Sequence, residues 1–182
     1  MNSIVEINKI LDSDSKEEKI KILESLSDSN DPQIINKIIS KLDDPEIEVR
    51  GEAFSVLVLN TNNISEFLIK NLKSDCKNIR GYSALVLANR KNAESISSII
   101  DLTKDSSSMV RSCALGALGF LKANAASQAI HNCFSDSNLE VKKSALKAAI
   151  DLGDKLPPEE IKKISEEKDE ELQKLLVLAN QN

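Results

Sequence analysis

Apolar residues recur at three- and four-residue intervals in short blocks separated by polar turns, the spacing of amphipathic helices. Ile4, Ile7, Ile10 and Leu11 share one face of a first helix, predicted from Ser3 to Leu11. The serine- and aspartate-rich turn around residues 12–15 leads into a second, from Lys16 to Leu26, with Ile20, Ile22, Leu23 and Leu26 apolar. Gln33 to Leu42 and Ile47 to Leu59 follow, and Asp43-Asp44-Pro45 between them places a capping acid before a proline expected at the first helical position. Four further pairs continue the alternation: Ser65 to Leu72 with Asn78 to Asn89, Glu94 to Leu102 with Ser108 to Leu121, Ala125 to Phe134 with Leu139 to Leu152, and a helix opened by Pro157-Pro158 with Asp169 to Ala179. The V-L-V-L run at 56–59 lies inside a helical frame and is too short to compete as a strand.

The second helix of each pair opens on one phrase. An acidic turn residue precedes an aliphatic–basic pair and a small residue: Asp44 with Val49-Arg50 and Ala53, Asp75 with Ile79-Arg80 and Ser83, Asp105 with Val110-Arg111 and Ala114, Asp136 with Val141-Lys142 and Ala145. The aliphatic anchors at 49, 79, 110 and 141 stand 30, 31 and 31 residues apart, and Ile39, Ile69, Ile99, Ile130 and Ile161 mark the first helices at the same period. A fixed period in this range signals stacked repeats. Ile22 lies 31 residues before Ala53 with Lys19 at the arginine position, so the first pair is in register in degenerate form. The heavily charged E-E-K-D-E-E-L-Q-K stretch of the last repeat reads as a solvated helix face, as in a terminal repeat. Six repeats result, approximately 1–28, 29–61, 62–91, 92–122, 123–154 and 155–182, forming one repeat domain.

A helical hairpin whose second helix opens D-x-x-x-x-V-R-x-x-A-x-x-x-L resembles a HEAT repeat, in particular the short HEAT-like type of phycobilisome-lyase relatives. The matching residues are Asp44/Val49/Arg50/Ala53/Leu57, Asp75/Ile79/Arg80/Leu87, Asp105/Val110/Arg111/Ala114/Leu118 and Asp136/Val141/Ala145. The resemblance is specific in the three central repeats, weaker in the fifth, where Lys142 replaces arginine, and carried by register alone in the first and last. It implies an all-α right-handed α-solenoid of about six HEAT-like hairpins. The small residues at 53, 83, 114 and 145 would let neighbouring hairpins approach, and Leu57, Leu87 and Leu118 would fill the space between them, each stabilising the stack by roughly 1.5–3 kcal/mol. Asp44, Arg50, Asp75, Arg80, Asp105 and Arg111 are expected to form a structural ladder, each arginine bonding an acid or turn carbonyl of its own or the neighbouring repeat. The competing reading of the arginines is an anion-binding row.

Composition narrows the function. Net charge is −5, which argues against a nucleic-acid footprint, and with four Phe, one Tyr and no Trp the interior must be aliphatic. Cys76, Cys113 and Cys133 form no metal-like pair, suiting a reducing compartment and a cytoplasmic location. The opening M-N-S-I-V-E-I-N-K-I-L is broken by Glu6 and Lys9, so no signal peptide is expected, and no apolar run approaches the roughly 20 residues of a membrane span. His131 is the only histidine, and no phosphate loop, nucleophile elbow or zinc-protease motif is present. We therefore expect no catalytic, cofactor or metal site. A single histidine cannot supply the repeated His-Glu pairs of HEAT-like hydroxylases, and an acidic chain without Trp does not suit HEAT-like DNA glycosylases.

The expected function is a non-catalytic adaptor, a monomer binding another protein. In HEAT solenoids the second helices line the concave side, with exposed positions two, three and six residues after the aliphatic anchor. These positions give Glu52, Ser55, Tyr82, Leu85, Cys113, Gly116 and Lys147 as candidate partner-binding residues, with an uncharged middle and charged edges. The alternative is an accessory subunit or chaperone of an enzyme, bilin-lyase-like.

Overall fold

The structure, a computed structural model, describes residues 3–179; Met1, Asn2 and 180–182, at the ends of the first and last predicted repeats, lie outside the described residues. Among the described residues the regular structure is helical throughout. The chain forms two compact units, Met1–Arg90 and Lys91–Asn182. The first holds α1 (Ile4–Leu11), α2 (Lys16–Ser25), α3 (Pro32–Ser40), α4 (Ile47–Leu59), α5 (Ser65–Asn71) and α6 (Lys77–Asn89). The second holds α7 (Ile96–Leu102), α8 (Ser108–Phe120), α9 (Ser127–Asn132), α10 (Leu139–Leu152), α11 (Pro158–Ser165) and α12 (Glu170–Ala179). Short 3-10 turns extend several first helices: Lys41–Asp43 follows α3, Cys133–Ser135 follows α9, and Ala93–Ser95 and Asn124–Ala126 precede α7 and α9.

Local capping sets the helix starts. Ser15 Oγ accepts from the Glu18 N–H, and Asp31 Oδ1 accepts from Gln33 and Ile34 with Pro32 opening α3. The acids ahead of the second helices work differently. Asp44, Asp105 and Asp136 each accept the N–H two residues on, from Glu46 at 3.1 Å, Ser107 at 2.8 Å and Asn138 at 2.8 Å. These are Asx turns, and they delay the helix. Pro45 therefore sits in the turn and not at the first helical position, which falls to Ile47 after the cap residue Glu46.

Within the N-terminal unit α2, α4 and α6 pack side by side, with α1, α3 and α5 as the first helices of the hairpins. Ala53, Leu57, Ser83 and Leu87 are fully buried, as are Ala114, Leu118 and Ala145 in the C-terminal unit. The isoleucine series of the first helices holds at Ile39, Ile99 and Ile130, which are buried. It shifts at Ile69 and Ile161, which are only half-buried. In α5 the core face is Ile64, Leu68 and Leu72, at i, i+4 and i+8, one residue off the expected register; in α11 the buried residue is Ile164, after the extended approach of 154–157.

α8 and α10 approach closely at Gly119. A Cβ there would lie 3.0 Å from the Ala148 Cα and 3.0 Å from Asp151 Oδ2, whereas one on Gly116 would meet nothing within 4 Å. Gly119→Leu is therefore expected to lower stability by about 3 kcal/mol, because backbone must move. Gly116→Ala, in a helix interior, should raise it by about 1 kcal/mol. Urea unfolding midpoints of the two variants should move in opposite directions.

Candidate partner-binding surface

The second-helix face of the N-terminal unit carries an open apolar cleft of about 280 Å3 lined by Ile47, Arg50, Gly51 and Phe54 of α4 and by Tyr82 and Leu85 of α6. The floor follows from helical spacing: residues 47, 50, 51 and 54 lie along one side of α4, while Val49, Ala53, Val56 and Leu57 turn into the core. Ile47 is 69% exposed, an aliphatic side chain left in water at the rim. Tyr82 and Leu85, expected from their repeat positions, are half-buried in the cleft wall. Ile47 and Phe54 were not expected. The anchor-minus-two position of Ile47 is held by Lys77, Ser108 and Leu139 in the following repeats, so it alternates between polar and apolar and carries no repeat signature.

The other candidates divide. Ser55 is exposed on α4, and Glu52 is half-buried beside α2. Burial pushes the Glu52 carboxyl above its ordinary value, and the like charge of Glu24 adds to the effect. In the C-terminal unit Gly116 is exposed, and Cys113 is half-buried with its thiol donating to Met109 Sδ at 3.6 Å. Lys147 is exposed but pairs with Glu171 at 2.8 Å, so its charge is engaged within the chain. The position two after the anchor is not generally a surface position. Gly81 is buried, and Lys143 is buried among Glu140, Asp169 and Glu171 at 3.1–3.2 Å. The carboxylates at 167, 169 and 171 are thus not a freely solvated face. Glu167, Asp169 and Glu171 hold Lys142, Lys143 and Lys147, because the start of α12 packs against α10.

Each repeated arginine first closes its own turn. Arg50 Nη1 donates to the Asp44 and Pro45 carbonyls at 2.7 and 3.0 Å. Arg80 Nη1 donates to those of Ser74 and Asp75 at 2.8 and 3.0 Å, and Arg111 Nη1 to those of Asp105 and Ser106 at 2.8 and 3.3 Å. Cations at this position also reach an acid 25 residues ahead. Arg111 forks onto Asp136 at 2.7 and 2.8 Å, Lys19 meets Asp44 at 3.2 Å, and Lys142 meets Glu167. Burial alone would raise the Asp136 carboxyl, but the Arg111 guanidinium and the Asn138 N–H outweigh it and hold it below the ordinary value. A carboxyl depressed on folding contributes stability that is present above the unfolded value, about 4, and is lost as pH falls through the folded one. Acid unfolding should therefore begin at a higher pH in Arg111→Gln than in the native chain, read by circular dichroism.

The family model for HEAT repeats matches residues 65–151, which include the Arg80, Arg111 and Lys142 turns. Over this stretch the chain carries HEAT-like repeats. Solved structures agree on the fold: the chain is an all-α solenoid of the HEAT and armadillo kind. It is similar to a designed armadillo repeat protein in complex with the peptide (KR)4, at 18% identity and TM-score 0.58, covering 99% of each chain. It is similar to an engineered protein at 16% identity and TM-score 0.60, covering 100% of this chain and 98% of that one. A third likeness is to the CpcE–CpcF complex of phycocyanin lyase from a Nostoc species, at 17% identity and TM-score 0.57, covering 97% of this chain and 75% of that one. No curated protein matches the sequence.

The remaining chemistry of this HEAT-like chain is inward-looking. Among the described residues no group of three or more His, Cys, Asp or Glu is placed to hold a metal ion, and no helix is long and apolar enough to cross a membrane. His131 Nδ1 lies 2.8 Å from Glu160 Oε2 and its Nε2 lies 3.3 Å from Asp154 Oδ2, tying α9 to the segment that opens α11. Burial pushes the Cys113 and Cys133 thiols up to about 11, and the Asp43 carboxylate beside Cys76 raises that thiol as well. Raised thiols are poor nucleophiles. Iodoacetamide near pH 7.5 should label Cys113 and Cys133 about a hundredfold more slowly than an unstructured thiol, and denaturant should erase the difference; peptide mass mapping reads both rates.

Proposed function

We propose that the chain is a non-catalytic adaptor that holds a partner protein on the second-helix face of its N-terminal unit. The observation that carries this reading is the α4–α6 cleft. It leaves Ile47 in water and half-covers Phe54, Tyr82 and Leu85, apolar surface that stabilises a complex by roughly 25 cal/mol for each Å2 it removes from water. At about 280 Å3 it falls below the roughly 300–1,000 Å3 of sites for drug-sized ligands, and suits an inserted side chain. The likeness to a designed repeat protein in complex with a peptide is in keeping with this use of the fold.

Affinity capture from a cell extract, comparing the native chain with Leu85→Glu and Tyr82→Ala, tests the reading. Both variants should keep native circular dichroism, since these side chains are only half-buried. A partner held by the native chain and lost from folded Leu85→Glu is the expected result. A partner held equally by all three would remove the cleft from the account. The second reading, an enzyme accessory subunit, is favoured by the likeness to the CpcE–CpcF complex of a phycocyanin lyase. A coloured ligand co-purifying with the chain, seen as visible absorbance, would support that reading against the adaptor.

A further inference from the structure

The ladder of turn cations has an open rung, and it borders the cleft. The residue five places before each aliphatic anchor shapes the turn: Asp44, Ser74, Asp105 and Asp136. Asp75, expected at the second of these places, stands one residue on. Ser74 forms the turn instead. Its carbonyl accepts from Arg80 at 2.8 Å, and its Oγ accepts the Cys76 N–H at 3.3 Å, two residues on as in the aspartate turns. A serine brings no charge to the cation one repeat back, and that cation is Arg50. Lys19 and Arg111 each meet the aspartate at this place in the following repeat, whereas Arg50 has no ion pair with any described residue.

Arg111 shows what Arg50 lacks. Its Nη1 closes its own turn, and its Nε–Nη2 edge forks onto the Asp136 carboxylate at 2.7 and 2.8 Å. Arg50 Nη1 closes its turn in the same way, at 2.7 and 3.0 Å, while its Nε and Nη2 donate to no described residue. Neither of these two nitrogens is sealed from water. Glu48, which the Arg50 charge also reaches, is bonded to Lys16 at 3.1 Å. The open edge is thus a donor pair of fixed direction, matched to the two oxygens of a carboxylate. Arg50 also lines the cleft with Ile47, Phe54, Tyr82 and Leu85, so one ligand can use both. We propose that the partner carries an aspartate or glutamate whose carboxylate docks on the Nε–Nη2 edge of Arg50, beside a large apolar side chain that fills the cleft. Positions i and i+2 of an extended segment, or i and i+4 of a helix, stand roughly 5–7 Å apart on one side, so about two to four residues separate the acid from the apolar anchor. This rests on the adaptor reading of the same face and adds the chemistry that the partner must carry.

The test is a selection of random twelve-residue peptides displayed on phage against the immobilised full chain. The most enriched sequence is synthesised with a fluorophore, once as selected and once with its acid replaced by the corresponding amide. Anisotropy is then followed against the native chain, Arg50→Lys and Leu85→Glu, with circular dichroism checking both variants. The expected winners place Asp or Glu about two to four residues from Leu, Ile, Met or Phe. The amide peptide should bind the native chain about tenfold more weakly, a comparison that leaves the protein untouched. Arg50→Lys keeps the charge but cannot fork, so the acid peptide should lose about tenfold and the amide replacement should then cost about twofold. Leu85→Glu should abolish binding of both peptides. An arginine acting only through its own turn would weaken both peptides alike on Arg50→Lys and keep the tenfold amide penalty, which would overturn the inference. Winners without an acid, or an amide peptide that binds the native chain as well as the acid one, would also overturn it; loss of binding in Leu85→Glu would then leave the adaptor reading standing. No enrichment at all, or binding indifferent to Leu85→Glu, would overturn the inference and the adaptor reading together.

Discussion

Asp44→Ala is expected to destabilise the N-terminal unit by about 3–5 kcal/mol, the largest effect of any single substitution considered for this chain. Asp44 is buried with its carboxylate 3.2 Å from Lys19 Nζ and 3.7 Å from Lys41 Nζ, and it also accepts the Glu46 N–H that shapes the turn into α4. Truncating it leaves Lys19, whose side chain is only 8% exposed, without its counter-ion and opens the turn at the same time. An uncompensated buried charge costs far more than the net worth of the pair. The exposed Lys16–Glu48 pair on the same two helices is the internal comparison, and Glu48→Ala should change little because both side chains are in water. Urea unfolding followed by circular dichroism separates the two. Equal midpoints would show that Lys19 finds solvent once Asp44 is gone.

Arg90→Ala is the second large effect, about 3 kcal/mol. Arg90 stands just after α6, yet its guanidinium serves α4. Nη1 donates to the carbonyls of Leu57 at 3.0 Å, Val58 at 3.3 Å and Asn60, and Nη2 donates to that of Asn62 at 2.7 Å. The Leu57 and Val58 carbonyls are among those that a helix end leaves without intrahelical partners, and those of Asn60 and Asn62 lie in the turn that follows. Asn60 continues the chain of ties, its side-chain amide donating to the Ser29 carbonyl at 2.8 Å, one repeat back. Burial lowers the Arg90 pKa without removing its charge, and all of these contacts are made to carbonyls. Arg90→Lys should recover only part of the loss, since an ammonium cannot fork across several carbonyls. Faster amide exchange in the stretch after α4 would accompany the lower midpoint. Unchanged exchange would assign the loss to packing of the arginine stem.

The repeat was legible because its physics recurs. Ala53, Ser83, Ala114 and Ala145 are fully buried wherever the period places them, and the turn arginines meet the carbonyls of their own turns in three successive repeats. Lys19, read as the stand-in for an arginine, occupies the same place in geometry, bonded to the acid 25 residues ahead. Features that occur once were not legible. Pro45 looked like a helix opener, but the Asp44 carboxylate takes the Glu46 N–H first and holds both residues out of the helix. Lys147 looked like a free charge because its partner Glu171 lies on another helix, and sequence spacing does not show which rung faces which. Arg90 carries no repeat signature at all.

The candidate surface shows the same division. Tyr82 and Leu85 were found by position, while Ile47 and Phe54, two before and five after the anchor, complete the cleft from positions outside the expected exposed set. In a stacked protein the recurring residues build the scaffold, and the departures at exposed positions are the ones left to recognise a partner. At the equivalent positions of the C-terminal unit the Cys113 thiol is engaged with Met109 and Lys147 is paired with Glu171, so the emphasis moves to the N-terminal unit.

The central claim is that a polypeptide partner is held on the α4–α6 face. Titrating the captured partner into the nitrogen-15-labelled chain and following backbone amide shifts tests it most directly. The account predicts the largest shifts at Ile47, Gly51 and Phe54 of α4 and at Tyr82 and Leu85 of α6. Shifts confined to α1, α3 and α5, or to residues 91–179, with the cleft amides unmoved, would contradict it.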